Sequence, residues 1–162
     1  MQEIKQLLTR VKAFAFDVDG VFTDSTVWLH PGGSFMRMMN IKDGFAVQHA
    51  IKMGYHVAII TGGHSATVKK RFRYLGVKDI YMKSASKRAD FEKFCDRHHL
   101  AREHVLYMGD DLPDYEVMKM AKKQSVAVPV KDAMFFPRDF RKLHQRHVIY
   151  IKQGVIIDLD KV

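Results

Sequence analysis

Cysteine is nearly absent from this chain: among 162 residues only Cys95 is one. That excludes an internal disulfide and any cysteine-based zinc site. The adjacent pair His98-His99 and the pair His144-x-x-His147 have no cysteine to complete a zinc pattern. Long apolar runs are missing too, and the three most apolar segments are far too short to span a bilayer. Repeats, low-complexity tracts and linkers are absent, so a single domain over residues 1–162 is expected. Acid is in short supply, with 18 Asp and Glu against 27 Lys and Arg, a formal net charge of +9. The excess is spread over Lys69 to Arg73, Lys119 to Lys123 and Arg138 to Arg146, on helical patterns, with no nucleic-acid module beside it. The expectation is therefore no nucleic acid and no membrane, with the charge free to steer an anionic small molecule. Met1 to Lys12 reads as a polar helical lead-in, with Ile4, Leu7, Leu8 and Val11 at helical spacing, rather than a signal peptide. Cys95, near Phe91 and Phe94 in a helical stretch, reads as core. A cytoplasmic protein is expected.

What is present is acid at the ends of apolar runs. Phe14-Ala15-Phe16-Asp17-Val18-Asp19-Gly20 reads as a buried strand running into two aspartates. In open α/β sheets ligands bind at that carboxyl edge. An Asx turn cornered by Gly20 explains the same residues. Val57-Ala58-Ile59-Ile60-Thr61-Gly62-Gly63 is a second buried strand, ending in a hydroxyl and two glycines. Ser65 opens a helical stretch after it, a combination that suits an anion but also an ordinary strand-to-helix turn. Lys87 stands at the head of another helical stretch, where it is either a phosphate contact or one more surface lysine. Val105-Leu106-Tyr107-Met108-Gly109-Asp110-Asp111-Leu112-Pro113-Asp114 is a third strand ending in acid. Hard oxygen donors in that number suit Mg²⁺, and helix capping by Asp111 or Asp114 suits the same spacing.

The remaining pattern alternates strand and helix. Strands are expected near Ala13–Asp17, Val57–Thr61, Asp79–Tyr81, Val105–Met108 and Ser125–Val128. Helices are expected near Gly44–Met53, Ser65–Leu75, Lys87–His98 and Asp114–Met120. A hairpin of Thr26–His30 and Ser34–Met39 turns at Pro31-Gly32-Gly33, and the tail suggests a helix at Pro137–His144 and a strand at His147–Ile151. The fold class is α/β, a doubly wound Rossmann-like parallel sheet with a β-hairpin insertion at 26–39 after the first strand and an atypical tail at 134–162.

In chain order the four strand-end signals are Asp-x-Asp, Thr-Gly-Gly, Lys and Gly-Asp-Asp-x-x-Asp, and over Val11 to Val130 this set resembles the haloacid dehalogenase superfamily of phosphatases. Asp17 to Asp24 with Asn40-Ile41-Lys42-Asp43-Gly44 is similar to a capless branch acting on 3-deoxy-D-manno-octulosonate 8-phosphate and nonulosonate 9-phosphates. The resemblance implies a Mg²⁺-dependent phosphatase working through an aspartyl phosphate. Asp17 would be the nucleophile and Asp19 the acid and base. Thr61 and Lys87 would hold the phosphoryl oxygens. Asp17, the Asp19 carbonyl and Asp110 would ligate the metal, with Asp111 and Asp114 orienting it and Lys87. Asp43, Gly44, Gly62 and Gly63 would lie on the substrate side. It also implies lipopolysaccharide biosynthesis, a sugar-phosphate substrate and a homotetramer joined through the hairpin, with Trp28 and Phe35 near the contacts. Rivals are another small phosphoester, a receiver-like domain, and a non-catalytic binding subunit of the same fold.

Two departures stand out. Members of that branch have Thr-Gly-Arg where this chain has Thr61-Gly62-Gly63, which leaves His64 to replace the arginine contact or nothing at all. They also carry a Gly-Gly-x-Gly-x-x-Arg segment near the C-terminus, of which only Gly154 remains after Met134.

Overall fold

The computed structural model describes residues 9–122, 127–129, 149–152 and 155–158. Most of the expected lead-in, the start of the strand expected at Ser125, and the tail helix expected at Pro137–His144 lie outside them.

Strand β1 (Ala13–Phe16) is the centre of a five-stranded sheet. Its neighbours are β4 (His56–Ile60), with Ala13 opposite His56, and β6 (Val105–Gly109), with Ala13 opposite Val105. Outside these lie β5 (Asp79–Tyr81) and β7 (Ala127–Pro129), giving the order β5-β4-β1-β6-β7 with every pair parallel. The chain moves from β1 to β4 to β5, then crosses back to β6 and β7. Strand order therefore reverses at β1, and the crevice outside its carboxyl end is where such sheets bind ligands.

Among the described residues four helices flank the sheet: α1 (Ile41–Lys52), α2 (Ala66–Tyr74), α3 (Lys87–Arg97) and α4 (Tyr115–Lys122). Alternate strand residues feed opposite faces. Ala13, Ala15, Ala58, Ile60, Val105 and Tyr107 pack with Phe91, Phe94, Val117 and Met118 of α3 and α4. Val57 and Ile59 pack with Val47, Val68 and Phe72 of α1 and α2, and Phe14 and Phe16 join them. Burial on both faces explains why these strands read as continuous apolar runs rather than alternating ones. Cys95 is buried among the first group, and burial pushes its thiol up to about 11, so it is packing and not a nucleophile.

Three elements differ from the sequence expectation. Helix α1 starts at Ile41 rather than Gly44, because the Asn40 side chain accepts from the Lys42 N–H at 2.8 Å and caps it. The hairpin strands β2 (Trp28–Leu29) and β3 (Phe35–Met36) are only two residues each. A tight turn fixes their inner end, with Gly33 at φ +77 and its N–H on the His30 carbonyl, while the Asp24 carboxylate draws Thr26 into a turn at the outer end. In the tail, β8 (Ile149–Lys152) overlaps the expected strand and pairs antiparallel with an unforeseen β9 (Val155–Asp158). No helix among the described residues is long and apolar enough to cross a membrane.

Candidate active site

Strand β1 stops at Phe16, one residue short of expectation, yet Asp17 stays attached to the sheet through its N–H on the Met108 carbonyl at 2.9 Å. The chain then turns: the Val21 and Phe22 N–H groups both reach back to the Val18 carbonyl. Gly20 has φ +83, and a Cβ there would sit 1.6 Å from the Asp110 carboxylate. Only glycine lets this turn close over the end of β6. Gly109 is under the same constraint, since its Cβ would lie 2.2 Å from Asp114 Cγ.

On the neighbouring edge Thr61 is buried after β4, and its hydroxyl accepts from the Gly63 N–H at 3.1 Å. The Ser84 N–H donates to the Thr61 carbonyl and the Lys83 N–H to the Gly63 carbonyl, both at 3.0 Å. These bonds tie the Thr61 turn to the segment that leads into α3. Ser86 caps α3 by accepting from the Ala89 N–H, and Lys87 is its first residue. Position in the helix thus turns Lys87 inward, where it is buried, unlike an ordinary surface lysine.

The Lys87 ammonium lies 2.8 Å from Asp17 Oδ2 and 2.8 Å from Asp114 Oδ1. Asp114 also accepts from the Tyr107 hydroxyl, and its Oδ2 from the Asp111 N–H at 3.3 Å. Asp111 itself caps the short 3₁₀ turn Leu112–Asp114, its Oδ1 accepting from the Leu112 N–H at 2.7 Å. The capping reading therefore holds for Asp111 and Asp114, which close a capping box, and Asp114 also faces Lys87. One carboxylate oxygen from each of Asp17, Asp110 and Asp114 lies within 4.8 Å of the others. Asp114 has its partners in the protein. Among the described residues Asp17 Oδ1 and Asp110 Oδ1 are buried with none, while Asp110 Oδ2 accepts from Ser25 Oγ, at 3.4 Å.

Electrostatics follow from that crowding. Burial, with the Asp114 charge adding to it and Lys87 opposing it, pushes Asp17 up to about 6. Burial and then the Asp114 and Asp111 charges push Asp110 up to about 6 as well. For Lys87, burial acts to lower the ammonium, but the carboxylates of Asp114 and Asp17 outweigh it and the group sits above its usual value. A divalent cation would answer all of this at once: two hard, unpartnered oxygens face it, and its charge favours both ionised carboxylates. The donor set fits such an ion.

Asp19 lies apart from the acidic cluster. Both its oxygens are held by Arg37, with Nε to Oδ1 at 2.6 Å and Nη2 to Oδ2 at 2.8 Å. Gly63 is beside them, its Cβ position 3.6 Å from Asp19 Oδ2 and 3.4 Å from Thr61 Oγ1, and Gly62 is exposed on the same turn. Asp43 and Gly44 lie in the first turn of α1. Gly44 is buried against Arg71, its Cβ position 2.6 Å from Nη2, and no polar contact among the described residues links Asp43 to the cluster. Sequence reading missed Arg37, Tyr107 and Ser25. Tyr107 is hidden in an apolar run, and Ser25 in a polar loop. Arg37 had a signal: it is the one charge in Phe35-Met36-Arg37-Met38-Met39.

A family model described as haloacid dehalogenase-like hydrolase matches residues 27–122, a span that holds Thr61, Lys87 and the acidic turn and begins just after Asp17 and Asp19. A 3-deoxy-D-manno-octulosonate 8-phosphate phosphatase of Escherichia coli is 32% identical over 130 residues, 79% of this chain and 68% of the relative. The solved structure of the corresponding Vibrio cholerae protein, itself described as putative, superposes with TM-score 0.79 at 30% identity, covering 94% of this chain and 81% of that one. The Moraxella catarrhalis phosphatase, solved with magnesium, phosphate and a KDO molecule, superposes with TM-score 0.73 at 30% identity, covering 80% and 72%.

Proposed function

This chain belongs to the haloacid dehalogenase-like hydrolase family, and on that footing we propose that it is a Mg²⁺-dependent phosphoric monoester hydrolase. Its substrate in this reading is 3-deoxy-D-manno-octulosonate 8-phosphate, and its setting lipopolysaccharide biosynthesis. The observation that carries the chemistry is the buried Lys87 clamped between Asp17 and Asp114, beside unpartnered oxygens on Asp17 and Asp110.

The roles follow from position. Asp17 is the nucleophile that forms the bond to phosphorus. Lys87, 2.8 Å from Asp17 Oδ2, and the Thr61 hydroxyl offset the repulsion between carboxylate and phosphate dianion. Asp19, one turn further out, gives a proton to the leaving alkoxide and then takes one from the water that cleaves the aspartyl phosphate. Asp17, the Asp19 carbonyl and Asp110 hold the cation, which supplies charge neutralisation for the transferring group. Asp114 is saturated by Lys87, Tyr107 and the Asp111 N–H, so it orients rather than ligates. Asp43, Gly44, Gly62 and Gly63 border the sugar. The substrate assignment is supported by the similarity to 3-deoxy-D-manno-octulosonate 8-phosphate phosphatases. The whole of residues 1–162 is read as one such domain, and a single buried cysteine fits a cytoplasmic home.

The hairpin supports an assembly. Trp28 is 62% exposed, Leu29 75% and Phe35 54%. A two-stranded hairpin with a bare apolar face is marginal in water, and such a patch is an association site. We read it as the contact of a homotetramer. Light scattering at micromolar concentration tests this, and a fully active monomer would overturn it. For the chemistry, hydrolysis of a chromogenic phosphoester is expected with Mg²⁺ and not in excess chelator. A panel of octulosonate, nonulosonate and neutral sugar phosphates then tests the substrate: equal efficiency on all of them would point to another phosphoester.

A further inference from the structure

We propose that Arg37 is the residue that recognises an anion on the organic half of the substrate, a carboxylate, and that binding it there releases Asp19 for proton transfer. The inference rests on the phosphatase reading above and adds the basis of selection.

The geometry is specific. Arg37 follows β3 in a hairpin whose other large side chains face outward, yet its own side chain is only 8% exposed because it folds back onto the Asp19 turn. The guanidinium holds Asp19 as a two-pronged pair, the arrangement in which arginine matches a carboxylate best. The fork is already set for a planar anion. Desolvation aside, hydrogen bonding to Asp19 and the charges of Asp19 and Asp17 keep the guanidinium firmly cationic.

The pair as it stands is wrong for catalysis. As the acid, Asp19 must present a protonated oxygen to the leaving group, and here both its oxygens accept from N–H donors. Something must take Arg37 away when substrate arrives. In the proposed reaction Thr61 and Lys87 take the phosphoryl oxygens, so the Arg37 fork is assigned to an anion on the leaving group. A carboxylate carried by that group replaces the Asp19 carboxylate on the same fork, oxygen for oxygen. Gly63 borders the pair, a Cβ there lying 3.4 Å from Arg37 Nη2, an ordinary van der Waals contact.

The test compares a ulosonate phosphate, which has a carboxylate, with glucose 6-phosphate, which has none, in wild type, Arg37→Gln and Arg37→Lys. Arg37→Gln is expected to lower the ratio of kcat/KM for the acid substrate over the neutral one by roughly a hundredfold, with Arg37→Lys between the two. A proportional loss on both substrates would mean that Arg37 only positions Asp19, and an unchanged ratio would mean no role; either overturns the proposal. Calorimetric binding of the free, dephosphorylated sugar acid to Asp17→Asn, with and without Arg37→Gln, reads the same contact without turnover. Loss of that binding in the double variant supports the proposal and retention overturns it. Should wild type hydrolyse no phosphoester, the function proposed above falls, and the calorimetry still decides Arg37.

Discussion

Two aspartates at opposite ends of the same sheet are buried to the same degree: Asp17 is 5% exposed and Asp79 4%. Asp79 opens β5, where both its oxygens are taken, Oδ1 by Arg97 at 2.7 Å and Oδ2 by His98 Nε2 at 2.8 Å. His98 is packed in turn against His56, ring centroids 4.1 Å apart, and burial followed by the neighbouring His98 pushes His56 below its usual value. Both Asp79 oxygens thus have a partner from the chain. At the other end Asp17 and Asp110 each keep one buried oxygen without a donor. Burial alone therefore says nothing about function. A saturated buried carboxylate holds a fold together, while an unsaturated one beside like charges costs stability until a ligand arrives.

Substitutions at the two ends should separate these roles. The largest effect is expected from Asp17→Asn, which removes the attacking oxygen: turnover should fall on the order of a thousandfold or more while circular dichroism and melting stay near wild type. A variant within tenfold of wild type would sink the nucleophile. Next comes the cation. In a thermal melt Mg²⁺ should raise Tm of wild type, and Asp110→Ala should abolish that rise; an equal rise in both would place the ion elsewhere. At the opposite end Asp79→Asn should do the reverse of Asp17→Asn, losing about 1–3 kcal/mol in denaturant titration with kcat unaltered, because Arg97 and His98 lose a charge they share. If activity fell while stability held, the contrast would be false.

The smallest effect is in pH. Asp17 and Asp110 are both pushed up to about 6, so between roughly pH 4 and 6 the folded, metal-free chain binds more protons than the unfolded one. Their contribution to stability therefore declines as pH rises through that window and stays at its lower value above it. Asp110→Asn removes one share of this. In chelator it should match wild type near about pH 4 and be more stable by on the order of 1 kcal/mol near about pH 7. Added Mg²⁺ should reverse the order at neutral pH, since the variant loses a ligand. A stability difference that is the same at both pH values would show that Asp110 is not held against its neighbours.

Much of this was legible in one dimension because the relevant physics is local. Apolar runs bounded by acid or glycine gave the strands, since a strand buried on both faces has to be apolar throughout. Ser65 marked a helix start, because caps are local hydrogen bonds, and Ser86 caps α3 likewise. Asn40 caps α1 in the same way, and α1 was expected three residues late. The order of Asp17, Thr61, Lys87 and Asp110 could be read because a parallel sheet delivers every strand's carboxyl end to one edge.

Partnership could not be read in this way. The sequence alone determined that acid, hydroxyl and lysine would meet at one end of an α/β sheet, and that one cysteine would be core. Only the tertiary structure decided which carboxylate is saturated and which is bare, that Asp114 belongs to Lys87 and Tyr107 while Asp17 and Asp110 keep free oxygens. Only it brought Arg37 back from the hairpin to Asp19. The reason is range: strand and cap signals arise from neighbours within a few residues, whereas a hydrogen bond between side chains 18 or 27 positions apart exists only once the chain has turned back on itself.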